Sequence, residues 1–209
     1  MLAKAAKISA MPTLSAKARA RKIKLLLFDV DGVLTDGKLF FLPEGMPQAA
    51  QQQAASSAQH QIEVKGFHAH DGASISLARL GGIKTGLITK RSSETVALRA
   101  RDLKLEFIYQ GVDDKRTCFI ELVQKAGLKP DEAAFVGDDV IDLPAMRAGG
   151  FAIAVKNARA EVKKEAHFVT PHAGGDGALR DAVEFILKAQ GKWKRVVEVY
   201  IGGRSPGSV

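Results

Sequence analysis

The sequence predicts an α/β fold with a doubly wound parallel sheet, and three features of the chain predict it. Leu25-Leu26-Leu27-Phe28 is an apolar run without polar alternation, as expected of a central strand buried on both faces. From Asp71 onward, segments of helical periodicity alternate with short apolar segments across brief connections, the pattern of consecutive β-α-β units. The first run and a second, Ala133-Ala134-Phe135-Val136, both end abruptly in carboxylates: Asp29-Val30-Asp31 and Gly137-Asp138-Asp139. Open α/β sheets hold ligands beyond the carboxyl ends of their strands, so the acids collect where a ligand would bind.

Taken in order, residues 1–22 are rich in alanine and lysine but lack the apolar core of a secretory signal, and read as a basic, disordered leader. A single domain is expected over 23–193. Residues 38–41 and 62–67 read as the two strands of a hairpin spanning about 38–67. Between them, the glutamine- and alanine-rich stretch 42–61, with Pro43, Gly45 and Pro47, has no clear period and is expected to be a mobile loop. Long polar insertions at loop tips cost little entropy, which favours an insertion that the chemistry does not need. Ile75, Leu77, Ala78 and Leu80 then mark a helix stopped by Gly81-Gly82, and 85–89 is a strand. Ser92 or Ser93 caps a helix to about Asp102, and a short strand follows at 106–109. Residues 115–126 are helical, ending at Gly127 with Pro130 beyond. The last strands are expected at 151–155 and 167–170, separated by a helix near 159–165. The final helix occupies 178–189, and 194–209 is expected to be a flexible tail.

With 209 residues, 46% of them hydrophobic and 26% charged, the chain suits one soluble α/β domain. Its formal charge of +8 is local: Lys4, Lys7, Lys17, Arg19, Arg21, Lys22 and Lys24 precede the first acidic residue, after which 24 basic side chains face 23 acidic ones. A nucleic-acid-binding body therefore loses its support. No apolar run approaches the ~18 residues of a membrane span. The single cysteine, Cys118, cannot form an internal disulfide and reads as a buried helical thiol in a reducing cytoplasm.

Asp29 and Asp31 stand where a buried strand meets a glycine-containing loop, a place that suits a divalent cation and a phosphate. The plain alternative is an Asx turn, in which both merely accept backbone hydrogen bonds. Gly137-Asp138-Asp139-Val140-Ile141-Asp142 brings a second acidic set to the same rim. Carboxylates crowded at one sheet edge repel one another without a cation, which makes a purely structural reading costly. Magnesium prefers hard oxygens in an octahedron and retains waters, so two carboxylates, a carbonyl and a phosphate oxygen suffice. His68, His70 and His172 lack the compact His/Cys spacing of a transition-metal site.

Asp29-Val30-Asp31-Gly32-Val33-Leu34-Thr35 resembles the first signature of the haloacid-dehalogenase-like (HAD) superfamily, and Thr89, Lys115 and Gly137-Asp138-Asp139 fall where its other motifs are expected. The resemblance implies a HAD-like, Rossmann-like sheet on which the hairpin is a minimal flap cap. It implies Asp29 as the nucleophile that forms an aspartyl-phosphate, and Asp31 as general acid and then base. Thr89 would bind phosphoryl oxygens, and Lys115 would neutralise nucleophile and phosphate. Mg2+ would be held by Asp29, the backbone carbonyl of Asp31 and Asp138, while Asp139 and Asp142 position metal-bound waters, Lys115 or the following helix.

Further segments narrow the resemblance, over residues 23–193, to the 3-deoxy-D-manno-octulosonate 8-phosphate phosphatases. They are His70-Asp71-Gly72, Thr89-Lys90-Arg91-Ser92-Ser93, Tyr109-Gln110-Gly111, His172-Ala173-Gly174-Gly175-Asp176-Gly177-Ala178 and Gln190-Gly191-Lys192. This implies a cytoplasmic, magnesium-dependent hydrolase of an acidic sugar phosphate, with Asp31, His70, Asp71, Arg91 and Lys115 contacting it. It also implies a homotetramer in which flap and carboxyl-terminal tail, with Arg204, cover a neighbour's site. Lys90 departs from the family, where glycine is usual. Two other readings stand: a phosphatase for a sialic-acid-type 9-phosphate, and a catalytically silent oligomerisation or regulatory module. The silent module would gain nothing from keeping Asp29, Asp31, Lys115 and Asp138 together.

Overall fold

The computed structural model describes residues 14–43 and 61–202. Helix α1 (Ala16–Ala20) is capped by Ser15, whose hydroxyl accepts from the Ala18 amide. Strand β1 (Leu25–Phe28) follows, each of its side chains buried. β2 (Phe40–Pro43) and β3 (Gln61–Val64) pair antiparallel, Phe40 opposite Val64 and Phe41 opposite Glu63, as the expected hairpin requires. Helix α2 (Ala69–Leu80), β4 (Lys84–Ile88), α3 (Glu94–Asp102), β5 (Phe107–Tyr109) and α4 (Lys115–Lys125) alternate along the chain. The alternation continues through β6 (Ala133–Gly137), α5 (Leu143–Ala148), β7 (Phe151–Ala154), α6 (Ala160–Glu165), β8 (Phe168–Val169), α7 (Ala178–Ala189) and α8 (Trp193–Ile201).

Six of these strands form a parallel sheet in the order β5-β4-β1-β6-β7-β8, which places β1 inside the sheet between β4 and β6. Its all-apolar sequence is the consequence, because both faces are covered. The helices pack in two groups, α1, α2, α7 and α8 in one and α4 and α5 in the other, as doubly wound connections demand. Phe28, Phe119, Phe135 and Phe151 are fully buried and fill the space between the layers.

Both ends of the body correct the sequence expectation. The leader, expected to be disordered to residue 22, is ordered from Leu14. Ala20 is fully buried, Arg19 donates to the Gly150 carbonyl at 2.8 Å and Arg21 to the Ala189 carbonyl at 3.3 Å. Basic residues that looked like solvated charge are bound to backbone carbonyls across the fold. The tail, expected to be flexible from 194, is helical to Ile201 and packs on α2 and α7. Val196 is buried, and the Trp193 ring lies 5.2 Å from the Arg180 guanidinium and 5.3 Å from the Lys188 ammonium. Helix α5 is the helix expected to follow Asp142. Residues 1–13, most of the glutamine-rich loop (44–60) and 203–209, including Arg204, lie outside the described residues.

Candidate active site

Strand register assembles the site. Phe28 of β1 pairs with Leu87 of β4 and Val136 of β6, so Asp29, Thr89 and Asp138 emerge within two residues of paired positions, at the carboxyl ends of three neighbouring strands. The Asp29 amide extends the ladder by donating to the Val136 carbonyl at 3.1 Å. Thr89 is buried just beyond β4, its amide bonded to the Tyr109 carbonyl. After Asp29 the chain makes one wide turn, Val30–Leu34, whose backbone is non-helical at Asp31 and Gly32 and which is closed by the Thr35 amide and hydroxyl on the Val30 carbonyl.

Gly32 is required in this turn twice over. Its φ is +91°, and a Cβ there would stand 2.1 Å from Asp138 Oδ2. The segment containing His172 and Gly177 braces the turn from outside: the Gly175 amide donates to the Val33 carbonyl at 2.9 Å, and a Cβ on Gly174 would overlap the Gly32 carbonyl at 1.7 Å.

Lys115 opens α4 behind the capping residue Asp114, whose carboxylate accepts from the Arg116 and Thr117 amides. Its stem is buried, and its ammonium bridges Asp29 Oδ2 at 2.9 Å and Asp142 Oδ1 at 2.7 Å. The other oxygen of Asp142 accepts from the Asp138 amide at 2.9 Å and the Asp139 amide at 3.3 Å. Asp142 thus holds both Lys115 and the loop carrying Asp138, while exposed Asp139 caps the next turn through the Val140 amide.

Asp29, Asp138 and Asp142 each bring a carboxylate oxygen within 4.8 Å of the others'. Burial first, then the charge of Asp142, push the Asp29 carboxyl up to about 6, against the pull of Lys115. Burial, followed by the charges of Asp142, Asp29 and Asp139, pushes Asp138 up to about 7. Burial also works against the Lys115 ammonium, but Asp29 and Asp142 outweigh it and hold Lys115 above the ordinary lysine range. One lysine does not neutralise three carboxylates, and Asp138 Oδ1 is buried with no hydrogen-bond partner among the described residues. An orphaned anionic oxygen in a cluster of hard oxygen donors fits a divalent cation.

Asp31 faces a second group of cations. Its Oδ1 accepts from Lys65 Nζ at 2.5 Å, and its Oδ2 lies 3.6 Å from Arg91 Nε. Arg91 also bonds Glu63 at 3.0 Å, and Ser93, the cap of α3, donates its hydroxyl to the other oxygen of Glu63. Sequence reasoning found Arg91 but missed Lys65, Glu63 and Ser93 as neighbours of Asp31. A signal was present: residues 63 and 65 lie two apart and face one side of an extended segment, so the pair pointed inward together.

Two expected sugar contacts, Asp71 and His70, have neighbours outside the acidic cluster. Asp71 is fully buried, and its carboxylate accepts from the Gly177 and Arg180 amides at 3.0 Å each. It ties α2 to the start of α7 and has no surface to offer a ligand. Burial raises its carboxyl above the ordinary range, opposed by those amide bonds. His70 lines a hollow of about 250 Å³ with His172, Asp176 and Arg180, none of them a strand-end carboxylate. Lys90 pairs with Asp113 at 3.4 Å on the surface.

A curated 3-deoxy-D-manno-octulosonate 8-phosphate phosphatase from Escherichia coli K12 is 36% identical over 175 residues, covering 84% of this chain and 85% of that protein. The chain belongs to this phosphatase family of haloacid dehalogenase-like hydrolases. The family model for haloacid dehalogenase-like hydrolases matches residues 77–180, which include Thr89, Lys115 and the acidic set at Asp138. Solved structures of 3-deoxy-D-manno-octulosonate 8-phosphate phosphatases extend the likeness over more of the chain than that match. That from Moraxella catarrhalis, in complex with magnesium, phosphate and KDO, superposes with a TM-score of 0.78 at 34% identity, covering 88% of this chain and 97% of that one. The cobalt-bound form from Haemophilus influenzae superposes with a TM-score of 0.73 at 32% identity, covering 90% and 99%.

Proposed function

We propose that this chain hydrolyses 3-deoxy-D-manno-octulosonate 8-phosphate to the free sugar acid and phosphate, with magnesium as cofactor. The observation that carries the reading is the buried set of Asp29, Lys115 and Asp142 beside partly buried Asp138, with its orphaned oxygen, in a chain 36% identical to a phosphatase of that substrate. Asp29, the Asp31 carbonyl and Asp138 would hold the ion. Bound there, magnesium would neutralise the crowded carboxylates and polarise the phosphoryl group.

The side chains then divide the work. Lys115 offsets the charge of Asp29 and of the incoming phosphate, and the Thr89 hydroxyl binds a phosphoryl oxygen. A carboxylate oxygen of Asp29 attacks phosphorus, the bond from phosphorus to the sugar oxygen breaks, and Asp31 gives its proton to that oxygen. Asp31, now a base, takes a proton from the water that adds to the aspartyl-phosphate; the bond to Asp29 breaks and inorganic phosphate leaves. Arg91, half-exposed beside Asp31, would meet the anionic sugar acid. A silent module would have no reason to bury two carboxylates on one lysine with a third beside them.

The assembly is proposed to be a homotetramer, because Leu39, Phe40, Phe41 and Val64 leave the flap with an exposed apolar surface that suits a second copy. The free, buried Cys118 suits a reducing compartment such as the cytoplasm. No helix among the described residues is long and apolar enough to cross a membrane. Light scattering tests the assembly: a monomer at working concentration would remove it. Phosphate release tests the reaction, on a panel holding the eight-carbon 8-phosphate, a sialic-acid-type 9-phosphate and hexose phosphates, with magnesium or chelator. The eight-carbon acid should turn over fastest and only with the metal; preference for the nine-carbon acid would reassign the substrate.

A further inference from the structure

We propose that Lys65, on the flap, is a positioning residue that fixes the carboxylate of Asp31 so that Oδ2 is the oxygen exchanging the proton with the leaving group. The inference rests on the phosphatase reading above and adds a residue that the reading does not include.

The Lys65 side chain is fully buried, which an ammonium tolerates only with close anionic partners. Its partners are Asp31 Oδ1 at 2.5 Å and Glu63 Oε1 at 3.4 Å. The first contact is a charge-assisted hydrogen bond that takes up Oδ1 and opposes rotation of the carboxylate. Arg91 Nε, at 3.6 Å from Oδ2, is beyond hydrogen-bond reach. Oδ2 is therefore the oxygen left free for the sugar oxygen and, later, for water.

The same lysine reports where the flap is. It follows directly on β3, and Glu63 within β3 is moored to the start of α3 by three contacts. Its carboxylate accepts from Ser93 Oγ and from Arg91 Nη2 at 3.0 Å, and its backbone carbonyl accepts from Thr95 Oγ1 at 2.9 Å. Ser93, the cap of that helix, lies four residues beyond Thr89, the proposed phosphoryl ligand. A one-residue slip of β3 would reverse which side chains face inward and withdraw the ammonium from Asp31. Flap docking and orientation of the acid–base carboxylate are thus one event, and an undocked flap leaves Asp31 without a fixed rotamer.

The test compares Lys65→Met, which keeps the stem and removes the charge, with Lys65→Arg, which keeps the charge. Single-turnover rates are measured with magnesium on 3-deoxy-D-manno-octulosonate 8-phosphate and on p-nitrophenyl phosphate, whose nitrophenolate leaves without a proton. Lys65→Met should slow the sugar phosphate about 100-fold and the aryl phosphate less than about tenfold, with steady-state KM for the sugar within about threefold of wild type. Lys65→Arg should recover part of the sugar rate. The proposal is overturned by an unchanged sugar rate in a folded Lys65→Met protein, by equal losses on both substrates, or by a raised KM with kcat preserved, which would make Lys65 a substrate contact. Should Lys65→Met fail to fold, Lys65→Gln is read by the same criteria. An active wild type with an indifferent Lys65→Met variant removes this inference alone, whereas a wild type that releases phosphate from neither ester removes the phosphatase reading and this inference with it.

Discussion

Replacing Asp138 with asparagine should stabilise the metal-free protein while removing its response to magnesium. Asp138 has its carboxyl pushed from 3.8 to about 7 in the folded chain by burial and by Asp142, Asp29 and Asp139. At ~1.4 kcal/mol for each pKa unit, the charged carboxylate would cost about 4 kcal/mol above neutral pH. Asp138 keeps part of its surface in water, which screens the repulsion, and halving the figure leaves about 2 kcal/mol. The raised value belongs to the folded state, so the penalty is absent below about pH 4, grows with pH and is complete above about pH 7. Asparagine keeps the shape and carries no charge. In chelator at pH 8, Asp138→Asn should therefore raise the melting temperature by roughly 4–8 °C, and the gain should shrink towards pH 5. Adding magnesium should raise the melting temperature of wild type and leave the variant unmoved, because binding to the native state alone stabilises it. Thermal scans at two pH values, with and without magnesium, contain the whole test. An Asp138→Asn protein that melts below wild type in chelator at pH 8 would refute the repulsion, and a gain equal at both pH values would show that charge is not its cause.

Three further outcomes are expected. Asp29→Asn should lower turnover by about 10⁴-fold or more with an unchanged circular dichroism spectrum, and near-normal activity would take the nucleophile away from Asp29. Asp142→Ala breaks a fully buried ion pair and strips the Asp138 and Asp139 amides of their acceptor, so chemical denaturation should show a loss of about 3 kcal/mol or more. Asp71→Ala removes two amide bonds at the start of α7, and should cost about 2–3 kcal/mol in the same experiment while KM for the sugar phosphate holds; a raised KM at wild-type stability would restore Asp71 as a sugar contact.

Much of the sheet was legible because burial on both faces writes itself into composition. Leu25–Phe28 and the run at Ala133 could be nothing but inner strands, and the helix at Ala178–Ala189 announces its period in Leu179, Ala182, Val183 and Ile186, all buried. The carboxylates closing those strands were legible for the same reason, since a charged residue ending an apolar run is conspicuous. The ends of the chain were not. Arg19, Arg21 and Trp193 are held by a carbonyl of Gly150, a carbonyl of Ala189 and the cations of Arg180 and Lys188, and all but the Trp193–Lys188 contact join residues distant in sequence. Local composition carries no trace of such partners.

Asp71 and Lys65 mark the same boundary inside the site. The family resemblance implies Asp71 as a sugar contact and gives Lys65 no role. Their meanings exchange on folding, because the amides of α7 arrive over Asp71 and the turn after β1 arrives over Lys65. Strand ends, buried runs and the placing of Asp29, Asp31 and Asp138 at strand ends were determined by the order of residues, since each follows from near neighbours. Which charges are buried, and which carboxylate each lysine holds, was decided only by tertiary structure. Lys65 lies 34 residues from Asp31 and Lys115 lies 27 from Asp142, separations at which pairing depends on how the whole sheet and flap pack and not on any local preference.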